Sequence, residues 1–147
     1  MWCFYKQNGV SMSRTRDFQT WEYVGSTEGG ENACVLTDGD EYVLFHSPRN
    51  GIGVKRTTDL GEWRDDGVTM LGQDSWPWAQ GRITAGHVLD LREQPGVERY
   101  LMFYHGSTVR GNEVMETHGE AGIGMVWSAD LRTWHWPGGS ATNEEVR

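Results

Sequence analysis

The stretch Val126-Trp127-Ser128-Ala129-Asp130-Leu131-Arg132-Thr133-Trp134 decides the fold, because the chain writes its pattern three times. The other copies are Ser13-Arg14-Thr15-Arg16-Asp17-Phe18-Gln19-Thr20-Trp21 and Lys55-Arg56-Thr57-Thr58-Asp59-Leu60-Gly61-Glu62-Trp63. Each runs from an alternating strand into Asp, an apolar residue, two variable positions and Trp. A unit repeated in this way is a small sheet that cannot bury both faces alone, so neighbouring units must stack.

Upstream of each Asp lies an alternating strand: Gly9-Val10-Ser11-Met12-Ser13, Gly51-Ile52-Gly53-Val54-Lys55 and Gly122-Ile123-Gly124-Met125-Val126. Before that comes an aromatic, apolar one: Trp2-Cys3-Phe4-Tyr5, Tyr42-Val43-Leu44-Phe45-His46 and Tyr100-Leu101-Met102-Phe103-Tyr104-His105. Period-two alternation with aromatic and β-branched residues marks both as strands, punctuated by Gly and Asp. A further strand begins near each Trp. Two units also open with a strand, Ala33-Cys34-Val35-Leu36 and His87-Val88-Leu89-Asp90-Leu91, turned by Asp38-Gly39-Asp40 and Gln94-Pro95-Gly96. Four antiparallel strands per unit describe the blade of a β-propeller. The expectation is an all-β chain of about three blades, near 1–25, 31–67 and 82–137, within a partial propeller spanning 1–138, followed by a polar tail at 139–147. The first blade lacks its inner strand, since Met1 directly precedes Trp2.

The chain has 147 residues, including eight Trp and twenty Gly, room for one domain with a modest core. A net charge of −8 argues against nucleic acid, whose binding requires clustered Lys and Arg. No apolar run is long enough for a membrane-spanning helix and no basic leader with an apolar core is visible, so a soluble chain is expected, cytoplasmic by default. Cys3 and Cys34 read as small buried apolar residues, not a bridge. The five His have no metal-ligand spacing, so neither a metal nor a cofactor is assigned.

The three turns, the blade pattern, Gly30-Glu31-Asn32-Ala33 and Trp76-Pro77-Trp78-Ala79-Gln80-Gly81-Arg82 resemble the five-bladed propeller glycoside hydrolases, the arabinanase and β-xylosidase-like family 43 and the invertase-like family 32. The resemblance covers residues 2 to about 138. It implies a funnel at the propeller axis, lined by a general base Asp, a general acid Glu and a second Asp that tunes the acid. Such chemistry needs two carboxyl groups in unlike environments, one protonated and one ionised. In the family the acid opens an inner strand about eleven residues before the aromatic strand. Glu31 stands at that spacing from Tyr42, although Asn32-Ala33 replaces the usual small residue and Pro. Glu31 is thus the candidate acid; as a plain residue after Gly29-Gly30 it would be a solvated turn carboxylate. In the next unit the matching place falls at Thr84, leaving Arg82 and His87 to line a funnel or to serve an ion pair and the strand interior. The base and the tuning Asp would belong to blades preceding this chain.

Trp76 and Trp78 are the candidate sugar platform, with Asp74, Gln80 and Arg82 supplying polar contacts; their bland role is packing between units. Trp21, Trp63 and Trp134 read as structural wedges, and Asp17, Asp59 and Asp130 as turn caps. The acidic insertion from Gly106 to Ala121 reads equally as a specificity loop or a solvated excursion. Two function classes stand: a glycoside hydrolase acting on arabinose-, xylose- or fructose-type glycans with Glu31 as acid, or a noncatalytic carbohydrate-binding or oligomeric interaction module descended from a truncated propeller hydrolase. About three blades leave open faces, so a homo-oligomer that covers them is expected, unless the chain is part of a longer enzyme.

Overall fold

In a computed structural model that describes residues 1–69, 77–108 and 121–143, the chain is all-β, with three antiparallel sheets and no α-helix among the described residues. The first sheet holds β1 (Trp2–Lys6), β2 (Val10–Arg14) and β3 (Glu22–Thr27). The second holds β4 (Glu31–Asp38), β5 (Glu41–Ser47), β6 (Ile52–Thr57) and β7 (Arg64–Thr69). The third holds β8 (Ile83–Leu91), β9 (Arg99–Ser107), β10 (Ala121–Ser128), β11 (Thr133–Trp136) and β12 (Gly139–Thr142), preceded by a 3-10 turn at Pro77–Ala79. Strands pair in chain order within every sheet, and none of the sheets is closed. No described helix is long and apolar enough to cross a membrane.

One expectation is corrected here. Gly139 to Thr142, expected within a polar tail outside the sheets, form the fifth strand of the third sheet, pairing Thr133 with Thr142 and Trp136 with Gly139. Gly138, at φ 87°, makes the reversal that permits this. Beyond it the Asn143 amide donates to the Arg132 carbonyl at 3.1 Å, and the Asn143 side chain meets the Thr69 hydroxyl, tying the third sheet to the end of the second.

The repeated turn is the same object in all three sheets. The Thr57 hydroxyl donates to Asp59 Oδ1 (2.9 Å) and accepts the N–H groups of Asp59 and Leu60, while Asp59 Oδ1 accepts those of Gly61 and Glu62. Thr15 and Asp17 repeat every one of these bonds, as do Ser128 and Asp130. The apolar residue is forced to positive φ each time: Phe18 at 61°, Leu60 at 63° and Leu131 at 58°. That conformation costs an L-residue on the order of 1–2 kcal/mol, a strain offset by hydroxyl and carboxylate caps on four backbone amides. The Asp residues are turn caps, as the sequence suggests. The hydroxyl two positions earlier, an equal partner in the cap, escapes a reading centred on Asp and Trp.

Registers align the units residue by residue. Val10, Ile52 and Ile123 share one position, Met12, Val54 and Met125 another, and Phe4, Phe45 and Phe103 a third. Gly53 and Gly124 are also equivalent: a Cβ on either would come within 2.5 Å of the ring beside it, His46 or Tyr104. The Gly-rich strands thus leave room for a ring on the adjacent strand.

The main core forms where the second sheet meets the third. Val43, Phe45, Ile52 and Val54 pack against Tyr100, Met102, Tyr104, Val126, Leu131 and Trp134. Phe45 meets Trp134 edge-on, with centroids 5.8 Å apart. Each such side chain contributes about 1.5–3 kcal/mol on full burial. At the far end of this seam Arg56, almost wholly buried, binds Asp38, Glu41 and Asp66, while the Tyr100 hydroxyl and Arg92 reach across from the third sheet to Asp38. The first sheet packs on the second along a lesser seam where Trp2 and Phe4 face Val35, Tyr42 and Leu60.

The outer surfaces of the stack differ. Leu131 and Trp134 are fully buried by the second sheet, whereas their counterparts in the first sheet, Phe18 and Trp21, are 63% and 44% exposed. Trp21 is therefore not the buried wedge the repeat suggests. At the other end Ile123 is 78% exposed, although the equivalent Val10 and Ile52 are fully buried.

Candidate functional site

The candidate site lies at the mouth where β4 and β8 begin. These two opening strands lie side by side, and both carry a β-bulge there, between Glu31 and Cys34 and between Thr84 and His87. Bulges re-aim side chains beside binding sites. The registers make Glu31 equivalent to Thr84, since Glu31 pairs with Ser47 and Thr84 with His105, and make Cys34 equivalent to His87 through Phe45 and Phe103. Thr84 thus occupies in the third sheet the place that Glu31 holds in the second, as the sequence comparison of the two units has it.

Local chemistry explains the arrangement. Gly30 has no room for a Cβ, which would fall 1.4 Å from the Ser47 carbonyl oxygen, so a glycine lets the chain cross β5 and deliver Glu31 to the rim. The Gly30 amide donates to His46 Nδ1 at 3.1 Å. Asn32, at φ 56°, donates from its side chain to the Ser47 hydroxyl at 3.1 Å, and the same oxygen accepts the Ala85 amide at 2.9 Å. Ser47 therefore joins both opening strands. Asn50 Oδ1 does similar work, accepting the amides of Gly51 and Ile83. Ser107 Oγ accepts the Arg82 amide at 3.1 Å, which fixes the backbone from which that guanidinium projects.

Two cavities flank this rim. One, about 500 Å³, is lined by Glu28, Glu31, His46, Lys55, Asp65 and Arg82 among others. The second, about 670 Å³, is lined by Glu31, Asn32, Arg82, Thr84, His87 and His105 with their neighbours. Glu31 and Arg82 border both. The structure thus brings together Glu31, Arg82 and His87, three of the residues singled out from sequence. Glu31 is exposed; Arg82 is half-buried, and its Nε is buried without a hydrogen-bond partner. His87 Nδ1 lies 3.6 Å from Cys34 Sγ, and Cys34 also accepts the Val88 amide. Burial pushes the Cys34 thiol up, so it is an uncharged packing group. Cys3 and Cys34 are both free; Cys34 is buried, whereas Cys3, expected to be buried as well, is half-buried in the first sheet's β1.

Trp78 stands apart from the rim. It stacks on Tyr104 at 5.9 Å and lies over Gly106, Gly122 and Gly124, the packing role weighed for it above. Asp74 and Trp76 lie outside the described residues, as do 109–120 of the insertion and the last four residues.

Three site residues were not singled out from sequence. His46 is buried over Gly53, and burial, reinforced by nearby Lys55, lowers its pKa to about 4. It is neutral at pH 7, and the Gly30 amide on Nδ1 places its proton on Nε2. The buried Lys55 Nζ binds the exposed Asp65 at 2.8 Å. The signal was available: the repeat position of His46 holds Tyr5 and Tyr104 in the other sheets, and that of Lys55 holds Ser13 and Val126. A basic side chain where the other units hold none marks a local demand.

The cavities combine cationic and neutral donors with carboxylate acceptors, a lining suited to a neutral, hydroxyl-rich ligand. Among the described residues no group of three or more His, Cys, Asp or Glu is close enough to hold a metal ion. No family model matches the chain, and neither a curated protein nor a solved structure matches it.

Proposed function

We propose that the three sheets are successive blades of a propeller of the glycoside hydrolase type, and that the mouth of β4 and β8 binds arabinose-, xylose- or fructose-type glycans with Glu31 as proton donor. The observation that carries this reading is the shared rim, where Glu31 and Arg82 border both cavities. A glycosidic bond lying across it would have a carboxyl group at its oxygen and a guanidinium fork for flanking hydroxyls. The side-by-side packing of β4 and β8 supports the propeller part, since the innermost strands of adjacent blades are neighbours about an axis.

The test is turnover of aryl arabinosides, xylosides and fructosides, with oligosaccharide affinity measured by calorimetry. Glu31→Gln is expected to lower kcat by about 10²- to 10⁴-fold, the usual contribution of a general acid, with affinity retained. Unchanged turnover would overturn the assignment. A noncatalytic carbohydrate-binding role is the second reading, favoured by the exposure of Glu31, because catalytic groups ordinarily work where water is excluded. It predicts binding without turnover, and loss of that binding in Arg82→Ala.

A further inference from the structure

Among the described residues, the two outer faces of the stack expose halves of an interface that the chain already makes with itself. At the seam of the second and third sheets, Phe45, Ile52 and Val54 form the receiving half, and Leu131, Trp134 and Val126 the incoming half. The registers reproduce the receiving half in the third sheet as Phe103, Ile123 and Met125, all exposed. They reproduce the incoming half in the first sheet at Phe18 and Trp21, also exposed, with Tyr23 beside them, while buried Ser13 stands in the place of Val126. Each half occurs buried elsewhere in the same chain against its complement.

We infer that the third sheet of one copy docks on the first sheet of a second copy, Phe103 meeting Trp21 as Phe45 meets Trp134. The repeat names the occupant: among the described residues the receiving half packs against an incoming half, and a second copy carries one. The contact is heterologous, joining two different patches, so it builds closed rings or open chains of copies and not a pair related by a self-complementary patch. Both halves present large apolar and aromatic side chains, the residue types that anchor interfaces. This inference is independent of what the mouth binds.

The test uses two variants of the 147-residue chain at exposed positions, Ile123→Glu on the receiving half and Trp21→Glu on the incoming half. Circular dichroism verifies that each folds. In light scattering on a sizing column the unaltered chain is expected to run as an oligomer whose mass grows with concentration, and each variant alone as a 16.7 kDa monomer. Mixed one to one, each variant retains one good half, and together they should form a dimer and nothing larger. The inference is overturned if the mixture stays monomeric, if either variant keeps the oligomeric mass, or if the unaltered chain is monomeric at millimolar concentration. That last result would assign the faces to sheets from a longer polypeptide or to a different partner.

Discussion

The turn before Trp134 and the turn before Trp21 make the same five hydrogen bonds, hold an apolar residue at the same positive φ and differ only in what lies beyond them. Against the second sheet, Leu131 and Trp134 lose all contact with water; on the outer face of the first sheet, Phe18 and Trp21 remain exposed. Local geometry in this protein is therefore independent of burial. Five short-range bonds suffice to shape the turn, whereas the energy of its apolar residues depends on a neighbour. Three sheets carry three copies of each half and meet at two seams, which leaves one half exposed at each end of the described stack.

The largest expected difference between the two turns is in stability. Trp134→Ala should destabilise the chain by about 3–5 kcal/mol, as expected for a buried large aromatic, and Trp21→Ala by less than about 0.5 kcal/mol in dilute solution. Urea denaturation of both variants measures this, and equal losses would contradict the comparison.

A second difference concerns His46, which stands where the other sheets have Tyr5 and Tyr104. Its folded pKa, about 4, lies below its ordinary 6.5, so the unfolded chain binds this proton more readily. Its contribution to stability is complete above pH 6.5 and is lost as pH falls toward 4, a loss on the order of 3 kcal/mol by proton linkage. Denaturation midpoints from pH 7.5 to 4 should show that slope, and His46→Tyr, imitating the Tyr104 unit, should flatten it.

The smallest effect tests the part of the comparison that is alike. Replacing the capping hydroxyl in Thr15→Val, Thr57→Val or Ser128→Ala should cost about 1 kcal/mol each, with little difference among the three turns. A cost confined to the buried copies would show that neighbours, not the local bonds, form the turn. Acid acts on the same caps. The amides of Thr20 and Gln19 hold the Asp17 carboxylate below its usual range, and those of Gly61 and Glu62, with the Thr57 hydroxyl, do so for Asp59. Burial opposes the same shift at Asp130, where the Thr133 and Arg132 amides outweigh it. These contributions persist at neutral pH and fade as pH falls below the ordinary carboxylate range.

Much of this architecture was legible in the sequence because the repeat reports strands, turns and their order at once. Gly139-Ser140-Ala141-Thr142 was not, since small residues carry no alternating signal and the strand exists through its turn at Gly138 and its pairing with β11. At the candidate site, Glu31 and Arg82 could be found because each sits at a strand opening, and His87 because it precedes the apolar pair Val88-Leu89 inside β8. His46 and Lys55 stand out only by comparison with their equivalents in the other units, and their meeting with Asp65 is hidden because the three lie on successive strands and come together only when the sheet forms. The exposure of Trp21 was hidden for the opposite reason: a repeat describes what a residue can pack against, not whether the partner is present.

The central claim, that equivalent residues differ only through their neighbours, is tested most directly by fluorine NMR of chain labelled with 5-fluorotryptophan, comparing solvent isotope shifts of Trp21 and Trp134 across a dilution series. The account predicts that Trp134 is insensitive to solvent at every concentration, and that Trp21 senses water when dilute and loses that sensitivity as copies associate. Equal solvent sensitivity of the two indoles in the dilute chain would contradict it.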